Sequence, residues 1–213
     1  YVPYYFHSGG RANTRGGDGT LSPVPPGQEP GDRFRYDPAN PVPYCADFDW
    51  KQVGGPDDCT ELELRDDILV YTSLPLAEPL LICGPLKVCL FAASSARDTD
   101  WTAKVLDVHP DGRAIRLNDG VVRARYRNGT GREEFLSPGV VEEYLIDCWA
   151  TCIELQPAHR LRVEISSSAF GKVDLNLNGG GPIGRESEPV VAEQSVFHDH
   201  RHASHLLLPV VTG

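Results

Sequence analysis

The sequence predicts an all-β sandwich, and three observations lead there. Apolar residues alternate with polar ones over many short runs, the period of an extended chain with one face in a core. Turn residues separate those runs: 21 Gly and 18 Pro in 213 residues, as a domain of many short strands requires. No long stretch carries the apolar spacing of an amphipathic helix. All-β units of about 200–250 residues are common, so the length fits one domain. Residues 1–43 read as an extended wrapping segment and 44–213 as the sandwich core.

Val2 to His7 is a short apolar-aromatic strand. The glycine-rich and proline-rich stretch that follows, with four prolines between Pro23 and Pro30, reads as irregular and polyproline-like to Pro43. It lacks G-x-x-x-x-G-K-[ST], so no phosphate loop is supported. Residues 44–58 form a polar loop holding Phe48 and Trp50 among Asp47, Asp49 and Lys51. Such aromatics either fold back on the core or meet a ligand or partner. Leu62, Leu64 and Ile68–Thr72 read as a strand-pair element.

Gly84–Ala93 is apolar on both faces apart from Lys87, which suits a strand covered on two sides. Asp98-Thr99-Asp100 leads into a further strand. There Thr102, Lys104, Leu106 and Val108 face one way, and Trp101, Ala103 and Val105 the other. Pro110-Asp111-Gly112 closes it with a turn. Together these two strands predict the middle of a sheet. Asn118-Asp119-Gly120 then reads as a turn into a strand over 121–127, with Val122, Ala124 and Tyr126 on one face and three arginines on the other. Strands follow over 140–149, 160–166, 190–197 and 206–211, about nine in all, enough for two packed sheets.

The net charge of −10 argues against a nucleic-acid or acidic-membrane partner. No apolar run approaches the ~20 residues of a membrane span. No leader pattern is visible, and a cytoplasmic setting is favoured. The chain begins at Tyr1 and holds no Met, so it reads as trimmed, a processed product or a domain of something longer. Six cysteines are too sparse for a disulfide scaffold. Cys83 and Cys89 read as buried thiols. A Cys148–Cys152 or Cys45–Cys59 bridge is open, and the lack of any C-x-x-C argues against zinc.

Chemistry is harder to find. His198, His200, His202 and His205 with Asp199 could hold a transition metal, but surface histidines in a connection are the favoured reading. The Asp98/Asp100 pair could serve acid–base work or calcium, yet carboxylates accepting loop amides are favoured. The Arg123-Arg125-Arg127 ladder reads as solvated or acid-paired rather than as an anion site. There is no G-x-S-x-G elbow, and no metal or cofactor site is expected.

The stretch Asp98–Lys104 through Val108–Arg113 resembles the signature of the C-terminal domain of X-Pro dipeptidyl-peptidase and cocaine-esterase-type (CocE/NonD) serine hydrolases. Further matches follow in order: Ser8–Gly10, Gly17–Ser22, Tyr36–Pro43, Arg65–Ser73, Asp119–Arg127, His159–Ser168 and Ser204–Val210. The resemblance implies a galactose-binding-like jelly roll that follows an α/β-hydrolase domain bearing a Ser-Asp-His triad. The jelly roll would pack on that domain in cis and shape its pocket for esters, amides or X-Pro peptides. No triad motif is present here, so the chain alone is expected to be inactive and no catalytic residue carries over. Phe48 and Trp50 fall near the loop that approaches the substrate pocket in cocaine-esterase-like members. With Asp98, Asp100 and Trp101 they are the pocket or domain-interface candidates.

Two departures stand out. Ala169, Phe170 and Gly171 replace the usual Asn-Phe-Pro after the triple Ser. Leu175 and Gly179 replace an Arg and a Thr in the following Asn-rich loop. An uncovered apolar face would also permit a homodimer. The alternative from another class is a stand-alone carbohydrate-binding module that stacks sugars on exposed aromatics.

Overall fold

The computed structural model describes residues 1–46 and 56–211. Phe48 and Trp50 lie outside the described residues. Eleven strands are described: β1 (Val2–His7), β2 (Thr20–Ser22), β3 (Asp32–Tyr36), β4 (Leu69–Ser73), β5 (Leu80–Ser94), β6 (Asp100–Val108), β7 (Ala114–Arg123), β8 (Glu142–Leu155), β9 (Arg160–Ser166), β10 (Ala192–Phe197) and β11 (His205–Leu208). They pair in the order β3-β10-β5-β11-β1-β2-β4-β9-β6-β7, with β8 also on β5. No helix among the described residues is long and apolar enough to cross a membrane.

The ribbon folds on itself. Trp101 of β6, near one end of the strand order, lies edge-on to Phe34 of β3 at the other end, 6.2 Å between ring centres, and 5.8 Å from Tyr144 of β8. Those rings, with Phe6 stacked on Tyr71 at 4.4 Å, fill the space between two layers, as in an all-β sandwich. Trp101, Ala103 and Val105 point into this core as their alternation predicts. Leu106 and Val108 on the opposite face close a smaller cluster with Cys59 and Ala114. Lys104, on that same face, is buried against Glu164 at 2.6 Å.

Several expectations need correction. The 84–93 and 98–108 segments are both interior strands but are not neighbours: β5 pairs with β10, β11 and β8, and β6 with β7 and β9. These two consecutive strands pair with different neighbours, a choice that local pattern does not encode. The Gly/Pro-rich segment to Pro43 supplies β2 and β3, because each is short enough to fit between turns. Leu62–Leu64 is a 3-10 turn, and the strand expected over 121–127 ends at Arg123, where Ala124–Tyr126 makes another 3-10 turn. Asn118-Asp119-Gly120 is no turn but runs inside β7. There a Cβ on Gly120 would collide with the Asp147 carbonyl of β8, so glycine permits the two strands to approach.

The cysteines also rearrange. Cys45 joins Cys59, closing the loop between them, and Cys83 joins its cross-strand partner Cys152. Cys83 is therefore not a free buried thiol. A Cys148–Cys152 bridge is ruled out by reach: residues four apart on a strand lie about 13 Å apart, twice what a disulfide spans. Cys152 is in any case taken by Cys83, and a bulge lies between it and Cys148. Lys87 pairs with Asp147 and Pro85 with Ala150, so Cys148 and Trp149 together oppose Leu86. The extra residue switches which side chains face inward. Tyr144, Ile146 and Cys148 are buried before it and Leu155 after it.

Candidate functional site

Asp98, Asp100 and Trp101 all lie inside the domain. Asp98 sits just before β6 and Asp100 opens it, and the antiparallel register sets Asp100 opposite Arg123 of β7. Asp100 takes a two-pronged hydrogen bond from Arg123 (2.8 and 3.0 Å), and Asp98 takes the Arg125 Nε at 2.7 Å and its backbone N–H at 3.0 Å. Asn176 bridges the two carboxylates with one amide, at 2.8 and 2.9 Å. The partners of the acid pair are thus mainly the arginine ladder, with one backbone amide, and the ladder is acid-paired to its end: Arg127 reaches Glu142 at 3.2 Å. Burial pushes the Asp100 carboxyl up from its ordinary value, against the pull of Arg123. Burial pulls the Arg125 guanidinium down, but the Asp98 and Glu133 carboxylates together outweigh it and raise its pKa above the ordinary arginine value. From this base Arg125 Nη1 donates to the Gly181 carbonyl at 2.8 Å. The cluster thereby holds the loop 176–186, and Arg123 and Arg125 line a cleft of about 210 Å³ beside Asn176 and Ile183.

Three groups elsewhere resemble a catalytic set and are not one. Ser8, Asp32 and His198 are buried together. Ser8 Oγ donates to Asp32 at 2.8 Å, and His198 Nε2 lies 2.8 Å from Asp32 and 3.2 Å from Ser8. In a hydrolytic triad the two ring nitrogens serve serine and acid separately. Here Nε2 faces both, Nδ1 faces Glu29 at 3.3 Å, and Tyr71 also donates to Asp32 at 2.8 Å. His198 is fully buried, which corrects the reading of the 198–205 run as surface histidines. Burial opposes its proton, but Asp32 and Glu29 outweigh that and raise its pKa, while His198, Ala12 and Ser8 outweigh burial to lower that of Asp32. The free thiols among the described residues, Cys89 and Cys148, are pushed up to about 12, chiefly by burial, which removes them as nucleophiles at neutral pH.

The exposed feature is an apolar face that sequence reasoning missed. Leu145 (56 % exposed) and Trp149 (75 %) project from β8, with Val121 of the neighbouring β7. Trp149 is the bulge residue and has φ +63°, a conformation in which a bulky side chain is an outlier. The Asp147 carboxylate accepts its N–H at 2.9 Å. A cleft of about 300 Å³ lies between Trp149, Val121, Ala169 and Lys172. Phe170, half exposed beside it, exchanges backbone hydrogen bonds with Val42 and Tyr44 at 2.9 Å. The face therefore borders the root of the loop carrying Phe48 and Trp50. Trp149 continues the outward alternation of Glu143, Leu145 and Asp147, opposite the buried Tyr144, Ile146 and Cys148, so the period-2 pattern of the strand held the signal; the bulge adds the positive φ.

Comparison with known proteins is consistent throughout. The family described as the X-Pro dipeptidyl-peptidase C-terminal non-catalytic domain matches residues 1–207. A cocaine esterase from Rhodococcus sp. (strain MB1 Bresler) is 42 % identical over 99 % of this chain and 38 % of its own length. An aminopeptidase from a marine sediment Thaumarchaeota archaeon has 27 % identity and a TM-score of 0.88 over 99 % of this chain and 37 % of that one. An alpha-amino acid ester hydrolase gives the same identity and TM-score, over 36 % of its chain. This chain thus spans little more than a third of each relative.

Proposed function

Because the chain belongs to the family of X-Pro dipeptidyl-peptidase C-terminal non-catalytic domains, we propose that it works in cis with an α/β-hydrolase domain, packing on it and shaping the entrance to its active site. Residues 1–213 act as one jelly-roll unit, and the whole protein cleaves esters or amides. The observation that carries this reading is Trp149: exposed, held at positive φ, and set among Leu145 and Val121. Backbone strain persists where surrounding structure over-determines it and function uses it, and aromatics of this kind anchor interfaces. In this reading Phe48 and Trp50 serve the substrate entrance, while Asp98 and Asp100 hold Asn176 and, through Arg125, Gly181 of the loop 176–186. The two disulfides fit an oxidising compartment better than the cytoplasm.

The test is Leu145→Ala/Trp149→Ala in the whole protein, with Phe48→Ala/Trp50→Ala beside it. The first pair is expected to separate the unfolding of the two domains and lower kcat/KM for a small ester at least tenfold. The second is expected to raise KM. Unchanged kinetics and a single shared transition in both would end the proposal. Sugar binding that depends on Trp149 would favour a carbohydrate-binding module instead.

A further inference from the structure

A second site lies away from this face, at the end of the sandwich where β6 turns into β7 and β8 into β9. Asp107 is the penultimate residue of β6. His109 follows in the turn, fixed by hydrogen bonds between its N–H and the Arg113 carbonyl and between the Gly112 N–H and its own carbonyl, both 2.9 Å. His159 closes the β8–β9 turn, next to Ala158 at φ +68° and tied through its carbonyl to the Leu76 N–H at 2.8 Å. Two anchored segments, the end of β6 with its turn and the β8–β9 turn, thus deliver three donor groups to one point.

We propose that Asp107, His109 and His159 bind one divalent transition-metal ion of the imidazole-preferring kind, Zn²⁺ above all. The Asp107 carboxylate is buried, and its partners are these two imidazoles, not a guanidinium. His159 Nδ1 lies 2.8 Å from Oδ1, and His109 Nε2 lies 3.5 Å from Oδ2. The two rings are 4.4 Å apart between centres. One ligand atom from each residue falls within 4.8 Å of the others. Zinc binds nitrogen and carboxylate oxygen at about 2.0–2.2 Å, and tetrahedral neighbours are then about 3.3–3.5 Å apart. Measured to one oxygen, Oδ2, His159 Nδ1 is 3.0 Å and His109 Nε2 3.5 Å away, close to that spacing, and a small rotation of the partly exposed His109 closes the third edge.

Two imidazoles and a carboxylate suit zinc and its neighbours rather than magnesium or calcium. Of the arginines nearby, Arg113 is matched by Asp111, Arg116 by Asp57 and Asp119, and Arg162 by Glu63, while Arg15 and Arg160 donate to the Thr60 and Ser73 carbonyls and line the cleft beside His109. His109 also lines two clefts, of about 500 and 700 Å³. A fourth ligand, water or a small anion, would enter there. The ion would clip the β6–β7 hairpin to the β8–β9 turn.

The experiment is calorimetric titration of the full chain with Zn²⁺ alone. It is run on the parent, on His109→Ala, on His159→Ala, and on His200→Ala/His202→Ala as a control outside the site. One ion per chain is expected, with affinity falling at least tenfold in each of the first two variants and unchanged in the third. Co²⁺ bound to the parent protein should show imidazole nitrogen in its coordination sphere, a reading that does not require the variants to fold. No stoichiometric binding, binding indifferent to His109 and His159, or a Co²⁺ sphere without imidazole would overturn the site.

Discussion

The Asp98–Asp100 cluster and the Trp149 face sit on strands that pack against each other, yet they are built on opposite terms. In the cluster every charge is answered and all but the partly exposed Arg123 are buried: two carboxylates, two guanidiniums and one bridging amide. At the face a large aromatic is left in solvent in a conformation it disfavours. The first is an arrangement whose parts depend on one another. The second is one the isolated domain gains nothing by keeping. Stability should reside in the cluster and contact in the face, and the predictions below test that division.

The sharpest break is Asp98→Ala. It leaves the Arg125 guanidinium buried without its main partner. Removing one member of a buried ion pair costs about 3–5 kcal/mol, because the remaining charge is uncompensated. Urea denaturation of the variant should show a loss of that order. A loss under about 1 kcal/mol would mean that the cluster is not what holds β6 to the turn after β7.

Next in size is the pH dependence set by Ser8, Asp32, Tyr71, Glu29 and His198. His198 has a raised pKa when folded. Its contribution is therefore complete below the ordinary histidine value of about 6.5 and is lost as pH rises through the folded value. Asp32 is depressed. Its contribution is complete above about 3.9 and is lost as pH falls through its folded value. The knot is therefore fully effective between those limits. His198→Asn should cost about 1–3 kcal/mol, the range for taking one partner from a buried polar group, since Ser8, Ala12 and Tyr71 still donate to Asp32, and should remove the decline on the alkaline side. An alkaline limb of unchanged slope in the variant would assign that decline to another group.

Much of the fold was legible because burial writes a period-2 pattern. The 160–166 run alternates over the length of β9, and 2–7 is β1. What alternation cannot convey is which strand lies beside which. β3 pairs with β10, some 160 residues away, and Cys83 finds Cys152 only because β5 and β8 run side by side. His198 was misread because a histidine flanked by Asp and His looks solvated, while its charge partners, Glu29 and Asp32, come from a segment that reads as irregular. The arginine ladder was the opposite case. Acids at 98 and 100 and arginines at 123 and 125 both step by two, and the β6–β7 register couples them. The resemblance identified the family but did not mark Trp149, which alternation alone places outward in step with Leu145; the extra residue in β8 reverses the faces only beyond it.

The smallest effect should come from Trp149→Gly. Left-handed backbone costs a non-glycine residue about 1–2 kcal/mol, and glycine relieves it. Glycine also adds freedom to the unfolded chain, worth about 0.5–1 kcal/mol. The side chain is mostly in solvent, so little burial is lost. The net change in the denaturation midpoint should lie within about 1 kcal/mol of zero, and toward stabilisation if strain dominates. A residue whose removal leaves the domain intact while Leu145→Ala/Trp149→Ala uncouples it from a hydrolase domain is kept for the contact. If the glycine variant instead loses as much as Asp98→Ala, the bulge is part of the sandwich's own architecture, and the division between a supporting cluster and a contacting face does not hold.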